Sequence, residues 1–145
     1  MSATTWSQLE AEQAFTRVNR ARRRASVACR VGRGANCGGL AIYDEASLRR
    51  RGRRAGRGVR EIALDAIGGT LEPNRAADFD GGFRPSGSTR ARWERVWMAD
   101  QRGAVLPPIS LVEVGGAYAI RDGHHRVSVA KARGALTINA IVDAG

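Results

Sequence analysis

Long apolar runs are missing from this chain of 145 residues. The strongest nearly uncharged stretch, about Gly103 to Val112, is interrupted by Pro107 and Pro108 and falls far short of the roughly 20 residues a membrane-spanning helix needs. No membrane partner is therefore expected. Glu10 and Glu12 stand where a secretory leader has its apolar segment, so export is not expected and the chain reads as cytoplasmic. Cysteine is almost absent. Cys29 and Cys37 are too few for a zinc framework, and in a reducing compartment they are expected to be free thiols. Lysine is scarcer still, with Lys131 alone among 24 basic side chains.

Acidic residues are scarce in the first 60 positions, where Glu10, Glu12, Asp44 and Glu45 face 14 arginines. That portion accounts for the whole formal net charge of +10, and residues 61–145 are neutral. Such asymmetry points to a polyanionic partner for the basic half. DNA or RNA is the expected partner, contacted by Arg22, Arg23 and Arg24 and by Arg50, Arg53 and Arg54. The alternative is a solvated basic tail whose arginine content reflects coding bias.

What is present is ordinary globular usage, 43% hydrophobic and 26% charged, at a length suited to one core. Trp6 to about Ala28 predicts a helix with a thin apolar stripe, Trp6 and Leu9 then Phe15 and Val18. Glycines between Arg30 and Gly39 predict a linker. A short helix over about Asp44 to Arg51 is expected, followed by a mobile Arg/Gly segment. Two units result, a basic and partly helical N-terminal arm over 1–58 and a folded domain over 59–145.

Within that domain, Val59 to Leu64 alternates as a half-buried strand does, and Asp65 to Ile67 reads as a turn. Gly68-Gly69 through Gly81-Gly82 reads as a long irregular loop holding Glu72 and Arg75. Ser88 to Arg102 predicts a helix capped by Ser88, with Trp93, Val96 and Trp97 as core. Ile109 to Val114 and Ala117 to Arg121, joined by Gly115-Gly116, predict a hairpin. His124 to Arg133 predicts a helix ended by Gly134, and Thr137 to Val142 a last strand. The order implies an α+β fold, a small mixed sheet with flanking helices.

The sharpest feature is Asp122-Gly123-His124-His125-Arg126, placed where a strand gives way to a helix. Backbone N–H groups of a first helical turn lack internal acceptors and the helix dipole is positive there, so an anion is favoured. Gly123 admits the ligand to the backbone. Arg126 offers a planar fork to phosphate oxygens, and the imidazoles offer further donors. Asp122 is open to three roles: helix cap, metal ligand or base. The plain alternative is an Asp-Gly turn with exposed first-turn side chains.

This motif resembles the ParB N-terminal/sulfiredoxin superfamily, sometimes called ParB-like nucleases, together with Leu106-Pro107-Pro108-Ile109, the hairpin Val114 to Arg121, the helix Val127 to Gly134, and Arg60 to Ile67 upstream. The likeness spans about residues 59–143. It implies a ParB/sulfiredoxin-like fold and a nucleotide site in which Gly123, His124, His125 and Arg126 line a phosphate pocket, with Arg75 as a further contact. A nucleoside triphosphate or diphosphate with Mg²⁺ is the implied cofactor. Asp122 would hold the metal, and Asp122, His124 and Glu72 would serve NTP hydrolysis or phosphoryl transfer. The position of the sulfiredoxin catalytic cysteine is occupied by His124, so sulfinic acid reduction is not expected. Partition proteins carry Gly-Glu-Arg-Arg at this loop and continue into a helix-turn-helix module, whereas this sequence has Gly123-His124-His125-Arg126 and ends at Gly145, so a complete chromosome-partitioning protein is not expected. Free-serine kinases share the Asp-Gly-His-x-Arg pattern best. A metal-dependent phosphodiesterase built on His124, His125 and Asp122 ranks last, because adjacent helical side chains diverge by about 100°.

Overall fold

A computed structural model describes residues 3–34, 37–44 and 58–144. All but the first residue of the helix expected at Asp44 to Arg51, the Arg/Gly segment after it, and Arg50, Arg53 and Arg54 lie outside the described residues.

The elements are α1 (Ala3–Arg30), β1 (Ala41–Ile42), β2 (Val59–Ala63), β3 (Ile67–Thr70), α2 (Pro73–Ala76), α3 (Arg90–Gln101), β4 (Ile109–Val114), β5 (Ala117–Asp122), α4 (His124–Ala132) and β6 (Thr137–Ala144). Six strands form one mixed sheet in the order β1-β3-β5-β4-β6-β2. The β4–β5 hairpin is antiparallel and central. β3 runs parallel to β5, and β6 runs parallel to β4, so both outer pairs are built onto the hairpin. The fold is thus the expected combination of a mixed sheet and flanking helices.

Alternation along the hairpin sets two faces. Ile109, Leu111 and Ile120 point into the main core with Leu64, Phe79, Phe83, Val127 and Val142. Val112 and Ala119 point the other way, onto Leu71 and the partly buried Tyr43. α4 covers the main face through Val127, while Val129 turns outward to a second cluster. That cluster joins α1, α3 and α4: the Phe15 and Trp93 rings meet in a T-shaped pair at 5.6 Å, and Trp93 stacks on Trp97 at 5.5 Å. α1 is therefore docked on the rest of the protein along Ala11, Ala14 and Phe15, all buried. Arg22 adds to this docking by donating to the carbonyls of Asp78 and Arg84 at 3.2 and 3.3 Å.

Several local expectations are corrected. Trp6 and Leu9 belong to no buried stripe and are 54% and 41% exposed, because the docked face of α1 begins at Ala11. Cys29 and Cys37 form a disulfide and are not free thiols. The chain reverses beyond α1 and brings their Cα atoms to 5.7 Å. The end of the stretch expected as a linker is tied down, since Gly39 bridges to Asp80 and the chain runs on into β1, which pairs with β3. The turn expected at Asp65 to Ile67 is a 3-10 helix over Leu64–Ala66, and Ile67 already starts β3. β3 escapes a sequence reading because its centre is Gly68-Gly69. A Cβ on Gly69 would lie 2.4 Å from the Ala41 carbonyl oxygen, so glycine is what lets β1 lie alongside. Ser88 does not cap α3. It sits in a 3-10 turn, Gly87–Thr89, and Thr89 precedes the helix without a side-chain cap bond.

The docking of α1 carries a stability prediction. Phe15 is 2% exposed, and truncating a buried Phe to Ala costs about 3–5 kcal/mol. Phe15→Ala is expected to lower the urea midpoint accordingly, as read by tryptophan fluorescence. An unchanged midpoint would mean that α1 contributes nothing to the core.

Candidate functional site

The turn from β5 into α4 depends on Gly123. Its φ of +112° lies in the left-handed region, and a Cβ there would stand 2.4 Å from Ile109 Cγ2. No L side chain fits that conformation and that gap. The helix thus begins hard against β4. The first helical bond runs from the Val127 N–H to the Gly123 carbonyl at 3.0 Å, which leaves the N–H groups of His124, His125 and Arg126 with no acceptor inside the helix.

These groups open onto a cleft of about 330 Å³ between the start of α4, the outer side of α3 and the Leu106-Pro107 segment. Gly123, His124, His125, Arg126, Asp122 and Arg75 all line it, so the structure brings together six of the residues singled out from sequence. α3 adds Arg92 and Arg95. Four guanidinium groups thus face one carboxylate. Asp122 does not cap α4. It accepts a bond from Arg126 Nη2 at 3.2 Å, and Gly123 occupies the cap position. The other Arg126 nitrogen, Nη1, donates to the Pro107 carbonyl and holds the Pro107 wall to α4. Arg75 is paired with Asp78 at 3.5 Å.

Neither histidine is an exposed first-turn side chain; they are 5% and 8% exposed. His124 Nε2 lies 2.6 Å from Thr70 Oγ1, and its ring stacks on Phe79. His125 meets Phe79 edge-on at 5.2 Å. Burial, followed by the Arg75 charge, pushes His124 down to about 4. Burial, then Arg92 and Arg75, pushes His125 down to about 4 as well. Both are therefore neutral at pH 7. The positive character of the cleft comes from the guanidinium groups and the helix end.

Glu72 is not among the residues lining the cleft. It is exposed at the start of α2, and its backbone N–H donates to Thr70 Oγ1 at 2.9 Å. Among the described residues, no three His, Cys, Asp or Glu side chains converge on a metal-sized site. Asp122 is the single carboxylate among the described residues lining the cleft, and it is turned to Arg126.

Four contributors were missed from sequence. Thr70 and Phe79 sit in what reads as a loop, and nothing local marks them. Arg92 and Arg95 did leave a signal: with Val96 and Ala99 they fall at i, i+3, i+4 and i+7, the stripe that α3 turns to the cleft.

A second cavity of about 570 Å³ continues from the first across Val96, Leu106, Pro107 and Arg126. Its floor is apolar, from Ile109, Val129 and Ala130, and on its rim Arg133 pairs with Asp100 at 2.7 Å.

The buried imidazoles set a pH dependence. Between about pH 4 and the ordinary value of 6.5, the unfolded chain binds protons that the folded chain refuses. Stability is thus complete above 6.5 and falls as pH drops towards 4. Each unit of separation is worth about 1.4 kcal/mol, so the loss across the window amounts to a few kcal/mol. The melting temperature is expected to fall across this range and to fall less in His125→Gln. A flat profile, or an imidazole titrating near 6.5 by NMR, would contradict this.

No family model matches the sequence, and no curated protein matches it. Among solved structures, the sulfiredoxin of Arabidopsis thaliana is similar at 22% sequence identity and a TM-score of 0.46, over 61% of this chain and 86% of that one.

Proposed function

We propose that the cleft at the start of α4 binds the phosphate groups of a nucleotide, with the nucleoside lying in the adjoining apolar cavity. The observation that carries this reading is the state of Arg92 and Arg95. In residues 61–145, Arg75, Arg84, Arg90, Arg121, Arg126 and Arg133 are each paired with a carboxylate. Arg92, Arg95 and Arg102 have no acidic partner among the described residues, and of these Arg92 and Arg95 face the free N–H groups of α4 across the cleft. Unpaired guanidinium groups converging on a helix N-terminus repel one another until an anion arrives.

Size and polarity extend the reading from a bare anion to an anion with an organic group attached. The two cavities share Arg126, so a phosphate held by it has an apolar wall of Pro107, Ile109 and Val129 next to it. Binding, not turnover, is proposed. Asp122 is committed to Arg126 and His124 to Thr70, while Glu72 stands outside the lining. Magnesium would enter on the nucleotide's own phosphates, as this ion commonly does.

Thermal unfolding with CTP, ATP, GTP and ADP, with and without Mg²⁺, tests the proposal. A ligand at about one hundred times its Kd adds about 2.7 kcal/mol, which corresponds to roughly 5–10 °C for a chain of this size. Arg95→Gln, which disturbs no ion pair, is expected to weaken the nucleotide about tenfold, as loss of one charge-assisted bond does. Arg126→Ala is expected to abolish the shift. No shift with any nucleotide would overturn the proposal.

A further inference from the structure

The expected nucleic-acid contacts Arg22, Arg23 and Arg24 are consecutive, so they cannot share one face of α1. Arg22 is in fact spent on the carbonyls of Asp78 and Arg84. Arg23 lies beside Asn19, Ser26 and Ser86 on another side of the helix. A different set is aligned. Arg17, Arg20 and Arg24 stand at i, i+3 and i+7, within a sector of about 60° and along about 10 Å of helix. All three are exposed.

They line a shallow groove of about 510 Å³ between α1 and the start of α3, together with Gln13, Thr16 and Arg90. Arg90 is fixed there by Glu94 at 2.7 Å and by its stacking over the Phe15 ring at 5.2 Å. One carboxylate, Glu12, stands in the lining beside these groups. Arg17, Arg20 and Arg24 have no carboxylate or carbonyl partner among the described residues. Like charges three and four residues apart destabilise a helix, so this stripe weakens α1 in the free protein. The docked face of α1, through Phe15 and Trp93, holds the stripe in place nonetheless.

We infer that this face of α1 is a binding surface for the phosphate backbone of a nucleic acid, distinct from the nucleotide cleft and independent of it. A row of unpaired guanidinium forks matches a linear series of phosphates, since each fork can take two oxygens of one phosphate. Leu9 is the single large apolar side chain in the lining of the groove, so little there could insert into a bilayer. Reading is through the backbone, so affinity is independent of base sequence and depends on salt through release of condensed counterions.

The test uses the full chain and a labelled random-sequence duplex DNA of about two helical turns, followed by anisotropy between about 50 and 200 mM KCl. A matching RNA duplex and anionic lipid vesicles are run alongside. Arg20→Gln combined with Arg24→Gln is compared with Arg60→Gln combined with Arg102→Gln, which removes the same charge from exposed positions elsewhere. The arginines between residues 49 and 57 are present in both variants and cancel from the comparison. The groove pair is expected to lower the magnitude of the log–log salt slope by about 2 and to weaken binding roughly tenfold or more at low salt. The control pair is expected to change the slope by much less, and neither pair to change the melting temperature by more than a few degrees. Equal losses in both variants would overturn the inference, because binding would then follow net charge alone. Binding to vesicles without binding to either duplex would overturn it in favour of a lipid surface. No binding to any of the three would overturn it outright. Thermal shifts by nucleotides are read separately on the same variants, so failure here leaves the cleft proposal standing or falling on its own data.

Discussion

A buried indole N–H decides how the helices of this protein meet. Trp93 is fully buried, and a donor left unsatisfied there would cost about 1–3 kcal/mol. It donates to Ser128 Oγ at 2.9 Å, and Ser128 donates onward to the Phe83 carbonyl at 2.6 Å. This relay ties α3 to α4 and both to the loop before α3. Phe83 is held in a left-handed conformation, φ +62°, while its carbonyl receives that bond. Because Trp93 is locked on one side of α3, the stripe of Arg92, Arg95, Val96 and Ala99 has only one place to go, the cleft beside His125. The same indole packs edge-to-face with Phe15 and so fixes α1.

Electrostatics divides the molecule along the same lines. Arginines that brace the fold are paired, as Arg84 is with Asp80, which also accepts the Gly82 and Arg84 N–H groups of its own turn. Exposed pairs of this kind add little stability, about 0–1 kcal/mol each. Their value here is that they leave the unpaired arginines conspicuous. Several of those line the cleft and α1, where helix geometry concentrates them and no acid among the described residues pairs with them. The two imidazoles of the cleft, neutral through burial, shape its floor while adding no charge.

The elements legible in the sequence are those whose signal is local. The Gly115-Gly116 hairpin, the helix after Gly123, the helix around Trp93 and the last strand carry their own punctuation or periodicity. β3 was not legible, because glycine chosen for the close passage of β1 erases strand propensity. The disulfide was not, because the approach of Cys37 to Cys29 is made by a chain reversal that spacing does not encode. At the site, Gly123 to Arg126 were readable from types and positions, whereas Arg75 came only with the family resemblance. Thr70, Arg92 and Arg95 were not picked out, as their relevance arises from which faces of β3 and α3 are turned inward.

By itself the sequence determined the fold class, the hairpin at its centre, the strand-to-helix turn with its free N–H groups, and the concentration of positive charge in the first 60 residues. Each follows from backbone preferences or from counting, both of which act over a few neighbouring residues or over none. Only the tertiary structure decided which arginines are spent and which remain available, that Arg22 braces α1 while Arg17, Arg20 and Arg24 face outward, and that His124 and His125 are buried and neutral. Pairing and desolvation depend on groups far apart in the chain. They exist only once α1, α3 and α4 have closed around Trp93.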